Sequence, residues 1–207
     1  MEEYLAHNQK TYDLCAEKYK ENIVVWKEPE EIANNFSKFL LDKNTKVLEL
    51  GPGNGQLAKL LCDRGYDVSA IEFAEKMAKV AKETVPRANI IVDEFLKHDF
   101  ENTRFAGIIG IDFIHLFTEE DALKILNKIA DLIEPQGVVY LSTRLYSEEN
   151  EGYFEKVDLG MEVTRYRKRF TEESIIKLVS KDFIVLNKIY RKKSENKTWI
   201  DLALNKK

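Results

Sequence analysis

A short apolar run that breaks into three glycines and then into an amphipathic helix constrains this chain more than any other feature. Val47, Leu48 and Leu50 surround Glu49, and the run ends in Gly51-Pro52-Gly53-Asn54-Gly55. An apolar run bounded by turn residues reads as a strand buried on both faces, the habit of parallel sheets covered by helices. The glycines permit backbone angles that a Cβ forbids, and they let a ligand lie against the main chain. A helix follows from about Gly55, with Leu57, Leu60 and Leu61 on one face and Gly65 as its stop. Open α/β sheets bind nucleotide-like ligands at loops of this kind, at the carboxyl end of a strand.

Charge narrows the ligand. The dinucleotide fingerprint G-x-G-x-x-G receives a doubly negative pyrophosphate at a helix N-terminus. Here the spacing is G-x-G-x-G, and Glu49 stands just before the first glycine. A carboxylate at that place repels a pyrophosphate and attracts an ammonium or sulfonium group. S-adenosylmethionine carries both cations and no phosphate. A second run, Asp67-Val68-Ser69-Ala70-Ile71-Glu72-Phe73, ends in an acid. Glu72 falls close to the spacing of about 20 residues at which a carboxylate takes both hydroxyls of a ribose.

The string Glu49-Leu50-Gly51-Pro52-Gly53-Asn54-Gly55 resembles motif I of the class I S-adenosylmethionine-dependent methyltransferases, and the similarity covers nearly the whole chain. The resemblance implies a single domain over residues 1–207. Its α/β fold would be a doubly wound, mostly parallel seven-stranded sheet with helices on both faces and an antiparallel C-terminal hairpin strand. It also implies S-adenosylmethionine as cofactor and S-adenosylhomocysteine as product. Glu49, Gly51, Gly53 and Gly55 would place the methionine end, and Glu72 with Phe73 the ribose. Met77 matches a methionine on the following helix, and Ile111 is a further cofactor contact. The adenine would meet Glu94 with Phe95. Asp93 is the alternative register, because the run Ala88-Asn89-Ile90-Ile91-Val92 ends immediately before it. Ala74 departs from the serine that often begins the helix after Glu72. Losing a side-chain N-cap costs about 1 kcal/mol, so packing or another group must hold that helix start.

With 207 residues and 44% hydrophobic content, the chain suits one α/β domain with a full core. The formal charge of -4 supplies no general basic field, so neither DNA nor a membrane surface is expected as a partner. Residues 1–10 are polar, and no stretch of about 18 apolar residues occurs, so a cytoplasmic location is expected. Cys15 and Cys62 are isolated and read as reduced structural thiols. His7, His98 and His115 are too scattered for a zinc site, and no metal is expected. The oligomeric state is left open.

The segment 1–28 carries Tyr4, Tyr12, Tyr19 and Trp26. Its part 12–19 is similar to the lid helix of small-molecule methyltransferases, which covers the cofactor and walls the substrate pocket. The alternative is an amphipathic helix whose tyrosines pack on the body. Pro29 opens a second helix, with Ile32, Phe36, Phe39 and Leu40 at helical spacing.

A fourth strand, Phe105 to Ile111, runs into Asp112-Phe113-Ile114-His115. Class I enzymes diverge by substrate at this place. The D/N-P-P-Y/F string of amino-methylating nucleic-acid enzymes is absent, as are the cysteine nucleophile of cytosine C5 enzymes and the paired glutamates of protein arginine enzymes. Asp112 and His115 are three apart and share a side if the segment turns helically, which suits a general base. A structural histidine is the other reading. Magnesium on Asp112 would want a second acid after the fifth strand, where Ser142-Thr143-Arg144 stands.

Residues 118–134 read as a helix capped by Thr118 with Asp121 in capping-box position. Pro135-Gln136-Gly137 ends it, and residues 138–142 form the fifth strand. Residues 145–170 break the alternation in the region where the family inserts substrate-binding structure. Acids at Glu148, Glu149, Glu151, Glu155 and Asp158 precede the run Arg165-Tyr166-Arg167-Lys168-Arg169. That run either pairs with the acids or receives an anionic substrate or a polyanion. Phe170 and Ile175 suit a staple around the cap Thr171, and residues 183–190 and 198–204 read as strands joined by a turn at 192–197.

The expected function is methyl transfer to an oxygen, nitrogen or carbon of a small molecule by in-line displacement. Tyr12, Tyr19, Arg144 and Arg165 are the substrate-binding candidates, and His115 and Asp112 the catalytic ones. Two alternatives stand beside it: a protein or RNA methyltransferase that docks through residues 165–169, and a non-catalytic S-adenosylmethionine-binding module.

Overall fold

Seven strands share one sheet in the computed structural model, which describes residues 2–21, 28–40, 42–194 and 197–207. Trp26 and two residues of the expected turn, Glu195 and Asn196, lie outside the described residues. The chain opens with helices α1 (Glu3–Glu21) and α2 (Glu28–Ser37), then alternates β1 (Lys46–Leu50), α3 (Gln56–Asp63), β2 (Asp67–Glu72), α4 (Glu75–Thr84) and β3 (Asn89–Val92). It returns through β4 (Phe105–Ile111), α5 (Glu119–Leu132) and β5 (Ile133–Leu145). A hairpin of β6 (Asn150–Asp158) and β7 (Met161–Arg169) precedes α6 (Glu172–Val179), β8 (Phe183–Ser194) and β9 (Lys197–Lys206).

The strand order is β3-β2-β1-β4-β5-β9-β8, with β9 antiparallel to both neighbours. The order reverses between β1 and β4, and in open α/β sheets the crevice beyond the carboxyl ends of such strands is where ligands bind. Alternate residues of β1 face opposite layers. Leu48 and Leu50 pack with Ile108, Leu126 and Ile129, whereas Val47 packs with Ile32, Phe36, Leu57 and Leu61. Near-continuous apolarity in β1 and β4 therefore follows from cover on both sides.

The helix starts explain how the site is held. Thr118 accepts the Asp121 N–H at 3.1 Å, while the Asp121 carboxylate turns away to receive the Tyr4 hydroxyl and Lys124. Thr171 and Ser174 cap α6 reciprocally, with Phe170 and Ile175 both buried. Ala74 offers α4 no side-chain cap. Asp13 of α1 takes its place, accepting the Lys76 N–H at 2.8 Å, and Glu72 accepts the Ala74 N–H at 3.0 Å. The terminal helix thus caps another helix across the mouth of the sheet.

One boundary differs from expectation. Residues 133–137 belong to β5 rather than to the end of α5. Ile133 pairs with Phe105, pairing shifts, and it resumes at Val138 with Gly107. Pro135 falls in that irregularity, where its missing N–H breaks no ladder bond. The insertion 145–170 is a two-stranded sheet of its own, anchored where Tyr146 N–H meets Phe170 O at 2.8 Å.

Candidate active site

A cavity of about 860 Å³ opens beyond the carboxyl ends of β1, β2 and β4, and α1 and the β6–β7 hairpin contribute to its walls. The glycine loop shapes its floor. Gly51 has φ of 67°, and a Cβ there would sit 3.1 Å from the Phe113 ring, so both conformation and space demand glycine. Gly55 differs from the other glycines. It lies outside the cavity lining with φ of 80°, and a Cβ would meet the Ala81 backbone at 3.0 Å. Its place is in the close packing of α3 on α4.

Two acids stand at this end. Glu49 is 4% exposed, and its Oε2 has no hydrogen-bond partner among the described residues. Burial first, and then the charge of Glu72, raise its pKa to about 8, against the pull of the Ala58 N–H. Burial likewise raises Glu72 to about 7, although the N–H groups of Ala74, Gly53 and Phe73 favour its ionised form. Placing two carboxylates in a buried cleft is costly unless a cation joins them. Gly53, Phe73, Met77, Glu94, Phe95 and Ile111 line the same cavity. Both Asp93 oxygens are engaged, Oδ1 by the Glu94 N–H and Oδ2 at 3.0 Å from His98 Nδ1. Glu94 is the more enclosed of the two, with its side chain 14% exposed against 42%.

His115 sits in a single 3-10 turn, Ile114–Leu116, directly after β4. It is buried, and neither ring nitrogen has a hydrogen-bond partner among the described residues. Burial drives its pKa well below 6.5, and Arg167, Lys156 and Arg165 push in the same direction, so the ring is neutral at pH 7. The helical juxtaposition with Asp112 forms, yet Nδ1 and Oδ1 stand 3.8 Å apart, too far for a hydrogen bond. Asp112, at φ of 52°, instead receives the Trp199 indole N–H at 2.9 Å.

Tyr12, Tyr19, Arg144 and Arg165 also line the cavity. Tyr19 donates to Asp158 at 2.8 Å, Arg165 pairs with Asp158 at 2.6 Å, and the Tyr12 ring lies 3.9 Å from the Arg165 guanidinium carbon. Arg144 stacks on Tyr146 at 4.6 Å. Of the basic run, Lys168 is tied to Glu119 at 2.9 Å and Glu149 at 2.6 Å, as pairing with acids would have it. Phe154, Lys156 and Trp199, which no sequence signal marks, line the cavity together with Asp158 and Arg167 of the expected acidic and basic clusters. Charge alternation along 163–169 was the available signal for Arg167.

The sheet order and the glycine loop at its switch point are those of a class I methyltransferase fold. A family model described as a methyltransferase domain matches residues 25–182, and the chain belongs to that family. It is 26% identical over 124 residues to an uncharacterized methyltransferase of Oceanobacillus iheyensis, covering 60% of this chain and 58% of that one. It is 23% identical over 124 residues to ribosomal RNA small subunit methyltransferase A of Mycoplasmopsis pulmonis, covering 58% and 49%. The chain therefore spans about half the length of these curated relatives. Among solved structures, the Burkholderia thailandensis 1,6-didemethyltoxoflavin-N1-methyltransferase, bound to 1,6-didemethyltoxoflavin and S-adenosylhomocysteine, superposes with a TM-score of 0.79 at 16% identity, covering 99% of this chain and 89% of that one. At that identity the likeness speaks for the fold.

Proposed function

We propose that the chain transfers the methyl group of S-adenosylmethionine to a small-molecule acceptor. The observation that carries the reading is the buried Glu49 carboxylate beside the glycine loop, whose Oε2 has no partner among the described residues, in one cavity with Glu72. This donor set fits a ligand that brings a cation and a ribose diol and does not fit a pyrophosphate. Glu49 with Gly51 and Gly53 would hold the methionine end, Glu72 and Phe73 the ribose, and Glu94 with Phe95 the adenine, flanked by Met77 and Ile111. The greater enclosure of Glu94 and the engagement of both Asp93 oxygens favour that register.

When bound, the cofactor supplies an electrophilic methyl group on a sulfonium centre. The chain's own work is to orient and to exclude water. Fixing two reactants at attack distance contributes about 7–11 kcal/mol. Tyr12 and Tyr19 on α1 and the β6–β7 hairpin cover the acceptor end. His115, neutral and with both nitrogens unpartnered, can take a proton from an acceptor hydroxyl or amine. Asp112 is a positioning residue, held by Trp199 beside that ring.

Docking of RNA or protein on residues 165–169 draws less support. Arg165 is 0% exposed and Lys168 is neutralised by acids, so the run offers little open charge to a polyanion. A cavity that continues past the acids to His115 speaks against a module that only binds. The test is the melting temperature with and without saturating S-adenosylhomocysteine, with NAD as control, in the parent chain and in Glu72→Ala. At a hundred times its Kd a ligand adds about 2.7 kcal/mol, roughly 5–10 °C here. A shift of that order, lost in the variant and absent with NAD, is the expected result; no shift, or a larger one with NAD, ends the reading.

A further inference from the structure

Face alternation along the hairpin turns several cations the same way. Across the β6–β7 register Lys156 lies opposite Val163, Phe154 opposite Arg165 and Gly152 opposite Arg167. Opposed residues of an antiparallel pair share a face, and every second residue keeps it. Phe154, Lys156, Arg165 and Arg167 therefore look one way, and all four line the cavity. The other face presents Tyr153 and Tyr166, whose rings meet at 5.6 Å, and Asn8 of α1 clasps the Tyr166 backbone at both N–H and carbonyl. The hairpin is thus fixed on one side and charged on the other.

Arg165 is fully buried but only half satisfied. Its Nη1 holds Asp158, whereas Nε and Nη2, the side-on pair of donors, have no partner among the described residues. Nε of Arg167 is likewise buried without a partner. Asp158 is already shared with Lys156 and Tyr19. Leaving buried donors unpaired is costly, and this chain does not do it everywhere. Arg191 gives Nε and Nη2 to Asp201, Nη2 also to Ser142, and Nη1 to Glu28. The orphan donors belong to two arginines that line the cavity, not to a general habit of burying arginine. β7 packs against the turn that carries His115, and Arg165, Arg167, Lys156 and His115 line one cavity.

We propose that the acceptor molecule carries an oxyanion, a carboxylate or a phosphate, received by Nε and Nη2 of Arg165 with Nε of Arg167, so that its methylated atom lies beside His115. A guanidinium presenting two parallel N–H donors matches the two oxygens of such a group. This inference rests on the small-molecule methyltransferase reading and names the class of acceptor within it.

Calorimetric titration of the full chain, saturated with S-adenosylhomocysteine, tests it with three probes: benzoate, phenyl phosphate and neutral benzamide. The expected result is that one anion binds at least about 10-fold tighter than benzamide, the gain of a charge-assisted contact, and the better anion distinguishes carboxylate from phosphate. That preference should vanish in Arg167→Met and weaken in Arg165→Lys, which keeps a cation for Asp158, with S-adenosylhomocysteine affinity unchanged within about twofold. Equal binding of anions and benzamide, no saturable binding of either anion, or an undiminished preference in both variants overturns the proposal. If S-adenosylhomocysteine fails to bind the parent chain, the cofactor reading falls alone, and the same titration on the ligand-free chain still decides the anion site.

Discussion

The two ends of the cavity are built from opposite charges by opposite means. At the glycine-loop end, Glu49 and Glu72 project from strands of the main sheet and are almost wholly buried. At the hairpin end, Arg165, Arg167 and Lys156 project from a separate two-stranded sheet. Among the described residues each end leaves buried polar atoms without a partner, Oε2 of Glu49 at one and the Arg165 and Arg167 donors at the other. Rigid parallel strands give the acids a fixed place, while the hairpin depends on α1 for its position. The difference teaches that one end is set by the fold and the other by an attachment to it, which is where acceptor specificity can vary without disturbing the sheet.

His115 lines the same cavity, on a turn against which β7 packs, and replacing it is the strongest way to break the division of labour. Once an acceptor has been found by incubating cell extract with the chain and radiolabelled S-adenosylmethionine, His115→Asn should lower kcat by about 10²–10⁴-fold, the range for a general base, while S-adenosylhomocysteine affinity stays within about twofold. An unchanged kcat would assign His115 to packing. Next in size, Glu49→Gln should weaken S-adenosylhomocysteine by about 10–100-fold, as expected for losing a contact to a charged group, and leave the anion preference of the hairpin end intact. A loss at both ends would show the two to be one coupled site.

Acidity sharpens the comparison because both carboxyl groups of the acid end titrate near neutrality. The folded pKa values of Glu72, about 7, and Glu49, about 8, lie above the 4.5 of a free glutamate. Between 4.5 and those values the native chain binds more protons than the unfolded one, so the stability of the ligand-free protein should fall as pH rises toward 8 and then level off. The ligand's ammonium group at Glu49 and its ribose diol at Glu72 prefer both carboxyl groups ionised, so S-adenosylhomocysteine affinity should instead rise, by more than about tenfold between pH 6.5 and 8, with proton release on binding. Calorimetry in buffers of different ionisation enthalpy reads that release, and its absence would mean the carboxylates are already charged.

The acid end was legible because its residues are local to a signal. Glu49 abuts the glycine loop and Glu72 ends the next apolar run, so two strands and one turn place both. The switch point followed from the same alternation. The hairpin end is legible only as a run that either pairs with acids or receives an anion, because Val163, Arg165, Arg167 and Arg169 alternate with Thr164, Tyr166 and Lys168, and neither face reads as apolar. A run of cations looks like a solvated surface until a partner strand folds one face inward. Trp199 was hidden for another reason: only the insertion of β9 between β5 and β8 brings it to Asp112, across many residues of chain. The β5 boundary departs from the sequence pattern because Pro135, which reads as a stop, sits in an irregularity of the ladder.

The smallest effect tests how far the attachment itself is responsible. Asp13 caps α4 from α1, while Gln9 donates to the Phe73 carbonyl at 2.6 Å, so α1 is pinned to the loop that follows β2. Asp13→Ala should cost about 1 kcal/mol, the value of an N-cap, and lower Tm by about 2–4 °C. The loss should be uneven. Hydrogen exchange should quicken along α1 and at the first turn of α4, and through Asn8 it should spread to the Tyr166 region of β7, while β1 and β4 keep their protection. Uniform acceleration would mean that α1 is an integral layer of the fold, and the contrast between a rigid acid end and an attached cationic end would fail with it.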